Sequence, residues 1–98
     1  MSAARRPARH DLASVAAVMD YVHPDLPLYH WKRALMGIRF ETCGSAEGFN
    51  LANSWSSERK NYCGTQKLKA YWRTLDVNPP KPITIGTLVW LAHQYPKD

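Results

Sequence analysis

Apolar residues recur at helical spacing in five separate stretches of the chain, and no set of alternating stretches suggests a sheet. Leu12, Val15, Ala16, Met19 and Val22 share one helical face, with Asp11 before them as an N-cap. A first helix is expected to run to Tyr21 or Val22, where His23-Pro24-Asp25-Leu26-Pro27 stops it. The second helix, from Leu28 to Thr42, puts Trp31, Ala34, Leu35, Ile38 and Thr42 on one face. Gly37 in its middle costs about 1 kcal/mol against alanine, a cost that makes sense if another helix packs closely there. Gly44 is placed as a C-cap glycine, and Ser45 as the N-cap of a third helix whose apolar side is Phe49, Leu51, Ala52 and Trp55, with Gly48 tolerated in its first turns.

Ser56-Ser57 to Gly64 reads as a polar loop around Tyr62. Thr65 can cap a fourth helix to Leu75, with Leu68, Tyr71, Trp72 and Leu75 as its buried stripe. The segment Asp76 to Pro82 is a stiff, proline-rich connector. Ile83 and Ile85 have strand propensity, but Thr84 as N-cap followed by Ile85, Leu88, Val89, Leu91 and Ala92 favours a fifth helix ending near Tyr95. The fold class expected is all-α, a compact bundle of about five short helices. Residues 1–10 carry no apolar period and read as a flexible basic arm, leaving 11–98 as one helical domain.

Charge changes the picture more locally than globally. The formal net charge is +5, but three arginines lie in the arm, and without them ten basic residues face eight acidic ones. Six of the thirteen lysines and arginines, however, fall between Arg59 and Lys81, where Asp76 is the only acid. Local density of this kind decides how many phosphates can be neutralised at once. Lys69 and Arg73 stand one turn apart, Lys67 lies on a different edge, and Lys32 and Arg39 share a flank of the second helix. Trp31, Trp55 and Trp72, spaced with Leu and Ile, read as core, whereas Tyr62 beside Arg59 and Lys60 is either a base or sugar contact or the pin of its loop. Thr84 and Thr87 read as caps, with the helix start as a second candidate anion site.

No autonomous chemistry is legible. The eight acids are scattered, and Asp20 and Asp25, the nearest to a pair, bracket a helix end. There is no phosphate-cradling Gly-x-x-x-x-Gly-Lys loop, no zinc-ligand spacing around Cys43 and Cys63, no cofactor motif, no signal segment and no run of about 18 apolar residues. A cytoplasmic, non-enzymatic protein with two free thiols and no membrane association is expected.

Three motifs resemble one family. Trp31-Lys32-Arg33-Ala34-Leu35-Met36-Gly37-Ile38 is similar to its Trp-centred first motif. Gly48-Phe49, Trp55-Ser56, Tyr62 and Trp72-Arg73 resemble the second, and Ile83-Thr84-Ile85-Gly86-Thr87-Leu88 the third, which is the most specific. Together they resemble the primase C-terminal domain of the second type, over roughly Leu12 to Tyr95. Leu35, where the family commonly has glycine, and the proline connector depart from the pattern.

The resemblance implies a small helical accessory domain of phage, plasmid and other mobile-element replication proteins. Such a domain follows a primase catalytic domain, often precedes a helicase motor, and holds template, with the initiating nucleotide as a further candidate ligand. On that basis Arg59, Lys60, Tyr62, Lys67, Lys69 and Arg73 are the candidate contacts for single-stranded DNA. The alternative is a docking module linking a primase catalytic subunit to a replicative helicase or loader. A small regulator is a third class, disfavoured because no helix-turn-helix pair is visible.

Overall fold

The computed structural model describes residues 9–97. Five helices follow in order: α1 (Leu12–Met19), α2 (Leu28–Glu41), α3 (Ala46–Ser56), α4 (Thr65–Thr74) and α5 (Ile85–Gln94). The described residues contain no strand, only an isolated antiparallel bridge between Val22 and Pro96, so the expected all-α bundle is what forms. The longest helix, α2, packs against α1, α3 and α5; α5 also lies on α1, and α4 lies on α3. α4 and α5 thus occupy different flanks.

The core is one cluster fed by all five helices, including Val15, Met19, Leu35, Ile38, Ala52, Leu68, Leu88 and Leu91. Trp31, Trp55 and Trp72 are buried within it, as their spacing predicts. Two of the indoles also bond internally: Trp31 Nε1 donates to Ser56 Oγ (3.0 Å) and Trp55 Nε1 to the Val22 carbonyl (2.9 Å). A buried indole N–H needs such a partner, so these bonds fix the rings as well as burying them.

Gly37 has the close neighbour that its position predicts. A Cβ there would lie 3.0 Å from Leu88 Cδ2 and 3.3 Å from Ile83 Cγ2, so the α2–α5 approach depends on its absence. Gly48 is more than tolerated: a Cβ would meet Thr42 Oγ1 at 2.0 Å. Thr42 Oγ1 donates to the Ile38 carbonyl, and Ser45 Oγ caps α3 by accepting from the Gly48 N–H. Gly48 therefore lets the end of one helix sit against the start of the next.

Several helix ends differ from expectation. α1 stops at Met19 rather than Tyr21 or Val22. The chain beyond it is needed elsewhere: His23 N–H donates to the Tyr95 carbonyl (2.8 Å), and Lys97 N–H to the Tyr21 carbonyl (2.9 Å). α2 ends in a paired motif in which Gly44 N–H reaches the Arg39 carbonyl and Cys43 N–H the Phe40 carbonyl. Gly44, expected as the terminating glycine, is left-handed (φ 67°), and Cys43 before it is left-handed as well (φ 56°). Gly64, at φ 94°, is the N-cap residue of α4, so Thr65 is its first helical residue and not its cap.

The start of α5 carries the largest surprise. Thr84 occupies the N-cap position, but its side chain makes no capping bond. The Ile85 N–H instead donates to Glu41 Oε2 (2.7 Å), at the far end of α2. Glu41 is buried, and its other oxygen accepts from the His10 backbone N–H (2.7 Å) and lies 3.0 Å from His10 Nδ1. A carboxylate at a helix N-terminus answers both the orphan donors and the helix dipole.

Residues 1–8 of the expected arm lie outside the described residues. Its last two residues are held on the body. Arg9 donates from Nε to the Phe40 carbonyl (2.6 Å) and from Nη2 to the Val77 carbonyl (2.9 Å), with its guanidinium 4.3 Å from the Phe40 ring centroid. Phe40, off the apolar face of α2, is buried in this setting.

Candidate nucleic-acid interface

The six sequence-derived candidates divide into three groups. Lys69 and Arg73 lie on the solvent side of α4, opposite buried Leu68 and Trp72. They line a groove of about 570 Å³ together with Arg39, Ser45, Asn50 and Trp72. Arg39, outside the six, reaches across from α2: its Nε donates to the Leu75 carbonyl (2.8 Å) and its guanidinium sits 5.2 Å from the Trp72 ring centroid. Its placement was half legible, since Lys32 and Arg39 share a flank by spacing. Both indeed face α4, Lys32 Nζ lying 6.0 Å from the Tyr71 ring centroid.

Three cationic groups thus converge on one groove, and no carboxylate lines it. Among the described residues the ion pairs are His10–Glu41 and Lys97–Glu58, so none of the groove's cations is cancelled by an acid. Electrostatically the groove is net positive. Chemically it offers charge and hydrogen-bond donors but no general base.

Arg59 and Tyr62 line a different groove, also about 570 Å³, with Pro27, Trp31, Cys63 and Tyr71. Arg59 is engaged with the body. Its Nη1 donates to the carbonyls of Pro24 (2.6 Å) and Leu26 (3.0 Å), and its guanidinium lies 5.0 Å from the Trp31 ring centroid. Burial lowers its pKa from the ordinary arginine value, with Asp25 and Cys63 opposing the shift. Tyr62 packs against the core cluster, and its hydroxyl is shared between Asn53 Oδ1 and Thr65 Oγ1. Of its two sequence readings, this geometry is that of the loop pin. Trp31 and Tyr71 stack nearly parallel (6.0 Å, 17°), and burial raises the Tyr71 pKa.

Lys60 and Lys67 line neither groove. Lys60 fixes the loop through its backbone, whose N–H donates to Asp25 Oδ1 (2.9 Å), while its side chain is exposed. Lys67 is exposed on the first turn of α4. Asp20 and Asp25 act as a helix C-cap and a turn acceptor, as their positions suggested. Cys43 and Cys63 are free and exposed. No helix among the described residues is long and apolar enough to cross a membrane.

Sequence reasoning missed Trp90. It is 49% exposed, whereas the other three tryptophans are buried. The signal was present, because Trp90 falls about 200° from Leu88 on the helical wheel, off the Leu88–Leu91 stripe.

The family model for primase C terminal 2 (PriCT-2) matches residues 15–92, and the chain belongs to that family, a primase-associated C-terminal module. No curated protein and no solved structure matches the chain.

Proposed function

We propose that the protein is a non-catalytic module that holds single-stranded DNA template for a primase, within the replication-initiation system of a phage or other mobile element. The observation that carries this reading is the convergence of Arg39, Lys69 and Arg73 on one groove that no carboxylate lines. Such a surface grips the phosphate backbone with little reading of sequence, and its affinity falls as salt displaces it.

The test is a salt titration with a single-stranded oligonucleotide, comparing the wild-type chain with a Lys67→Glu, Lys69→Glu, Arg73→Glu triple variant. The wild type binds at low salt with a steep salt dependence, and the triple variant binds far more weakly while keeping its helical circular dichroism. Equal binding by the two proteins rejects the reading.

One observation favours the second reading, a docking module between primase and a helicase or loader. Val18, Tyr21, Val89, Ala92 and Pro96 line a largely apolar groove of about 350 Å³ between α1 and α5. Retention of a replication protein after nuclease treatment, by a chain that binds no DNA at low salt, selects this alternative.

A further inference from the structure

Another groove, of about 440 Å³, opens between the N-terminal half of α2 and the first two turns of α5 and is lined by Tyr29, His30, Arg33, Gly86, Thr87 and Trp90. Four observations give it a function beyond packing. First, its two outer rings are exposed, Tyr29 at 65% and Trp90 at 49%. The fold gains little by leaving an indole half in water.

Second, those rings are not loose. The His30 ring lies between them, 5.3 Å from the Tyr29 centroid, 5.6 Å from Trp90 and 5.5 Å from Tyr95. His30 Nδ1 is buried there without a hydrogen-bond partner among the described residues. Third, Arg33 is the only permanently charged side chain in the lining, and no carboxylate accompanies it. Its guanidinium lies over the Tyr29 ring, 5.5 Å from the centroid, with Nη1 3.5 Å from the Tyr29 hydroxyl.

Fourth, Gly86 is bare without a structural reason. Its φ is not positive, and a Cβ there would meet only Thr84 Oγ1, at an ordinary 3.5 Å. At Gly48 the packing forbids a side chain, and at Gly37 Leu88 and Ile83 crowd it. At Gly86 nothing in the chain does, so the open space is available to a ligand that approaches the backbone closely.

We propose that this groove takes an unpaired base of the bound strand, stacked on Trp90 and Tyr29, with the adjoining phosphate at Arg33. The proposal rests on the single-stranded DNA reading above and adds a contact to the base where the α4 groove supplies contacts to the backbone. Aromatic planes beside a cation suit a nucleotide. The neighbouring α1–α5 groove carries Val18, Val89, Ala92 and Pro96 beside Tyr21, His93 and Lys97, a more aliphatic lining.

The experiment compares an oligothymidylate with a strand of equal length made of abasic sites, which keeps the phosphates and removes the bases. Wild-type chain binds the oligothymidylate more tightly and its tryptophan emission is quenched, since Trp90 is the exposed indole. Trp90→Ala lowers oligothymidylate affinity roughly tenfold and leaves abasic affinity unchanged. Gly86→Ala keeps the fold and lowers oligothymidylate affinity severalfold; it carries the test if Trp90→Ala fails to fold.

Variants that bind oligothymidylate as the wild type does overturn the groove assignment, as does an equal loss for both strands. If the wild type prefers neither strand but loses both on reversal of Lys69 and Arg73, the groove assignment falls and the DNA reading stands. If it binds neither strand at low salt, both fall. Trp90 emission that responds to a replication protein but not to DNA also overturns the base-stacking assignment.

Discussion

The loop from Ser57 to Gly64 and helix α4 form one basic window in the sequence, yet they use their charge in opposite ways. Arg59 in the loop points inward, where it serves the Pro24 and Leu26 carbonyls and lies over Trp31. Lys69 and Arg73 on α4 point outward, free of ion pairs. The difference follows from the backbone around them. A proline-rich turn leaves carbonyls without helical partners, and a planar guanidinium can serve two of them while its face covers an aromatic ring. Arg9 over Phe40 and Arg39 over Trp72 repeat the arrangement at the end of α2 and the start of the proline connector. A helix such as α4 satisfies its own carbonyls, so its cations remain available to a partner. In this molecule, proximity to irregular backbone, not charge density, separates Arg9 and Arg59 from Lys69 and Arg73, while Arg39 both serves the Leu75 carbonyl and lines the groove.

That division can be broken by experiment. The largest effect is expected on α4. Lys69→Glu with Arg73→Glu should lower single-strand affinity roughly hundredfold at low salt and flatten the salt slope by about 1.4, while thermal unfolding stays within about 0.5 kcal/mol of wild type. Arg59→Ala should do the reverse, costing about 2 kcal/mol of stability in a denaturant titration with a smaller change in DNA affinity. Arg59→Lys sharpens the point. It keeps the charge but loses the fork, so about half of that stability loss should persist. Tyr62→Phe removes the hydroxyl shared with Asn53 and Thr65 and should cost about 1 kcal/mol, leaving affinity unchanged. Among the charge changes, Lys67→Glu, outside both grooves, should alter single-strand affinity least, about twofold at low salt, by the same titration.

The helices were legible because periodicity and local caps are short-range signals: Asp11 and Ser45 each bond a backbone N–H three residues on. The core tryptophans were legible for the same reason. What sequence could not supply were partners distant along the chain. Glu41 caps a helix that begins 44 residues later, and Arg59 meets carbonyls 33 and 35 residues before it. No spacing rule links such residues. Within the candidate site, Lys69 and Arg73 were found because one helix turn brings them together. Arg39 joins them only because its side chain reaches the Leu75 carbonyl and the Trp72 ring, and Trp90 lies off the buried stripe of its helix, where periodicity marks no role.

Arg9 and His10 add a mechanical consequence. Together they tie the incoming chain to the Phe40 and Val77 carbonyls and to Glu41, the carboxylate that also steadies the start of α5. Val77 lies against the Gly44 turn, which borders the Arg39–Lys69–Arg73 groove. The chain at Arg9 and His10 is therefore moored next to the cationic groove, and a load applied at those two residues acts on the ends of α2 and α5 that Glu41 joins.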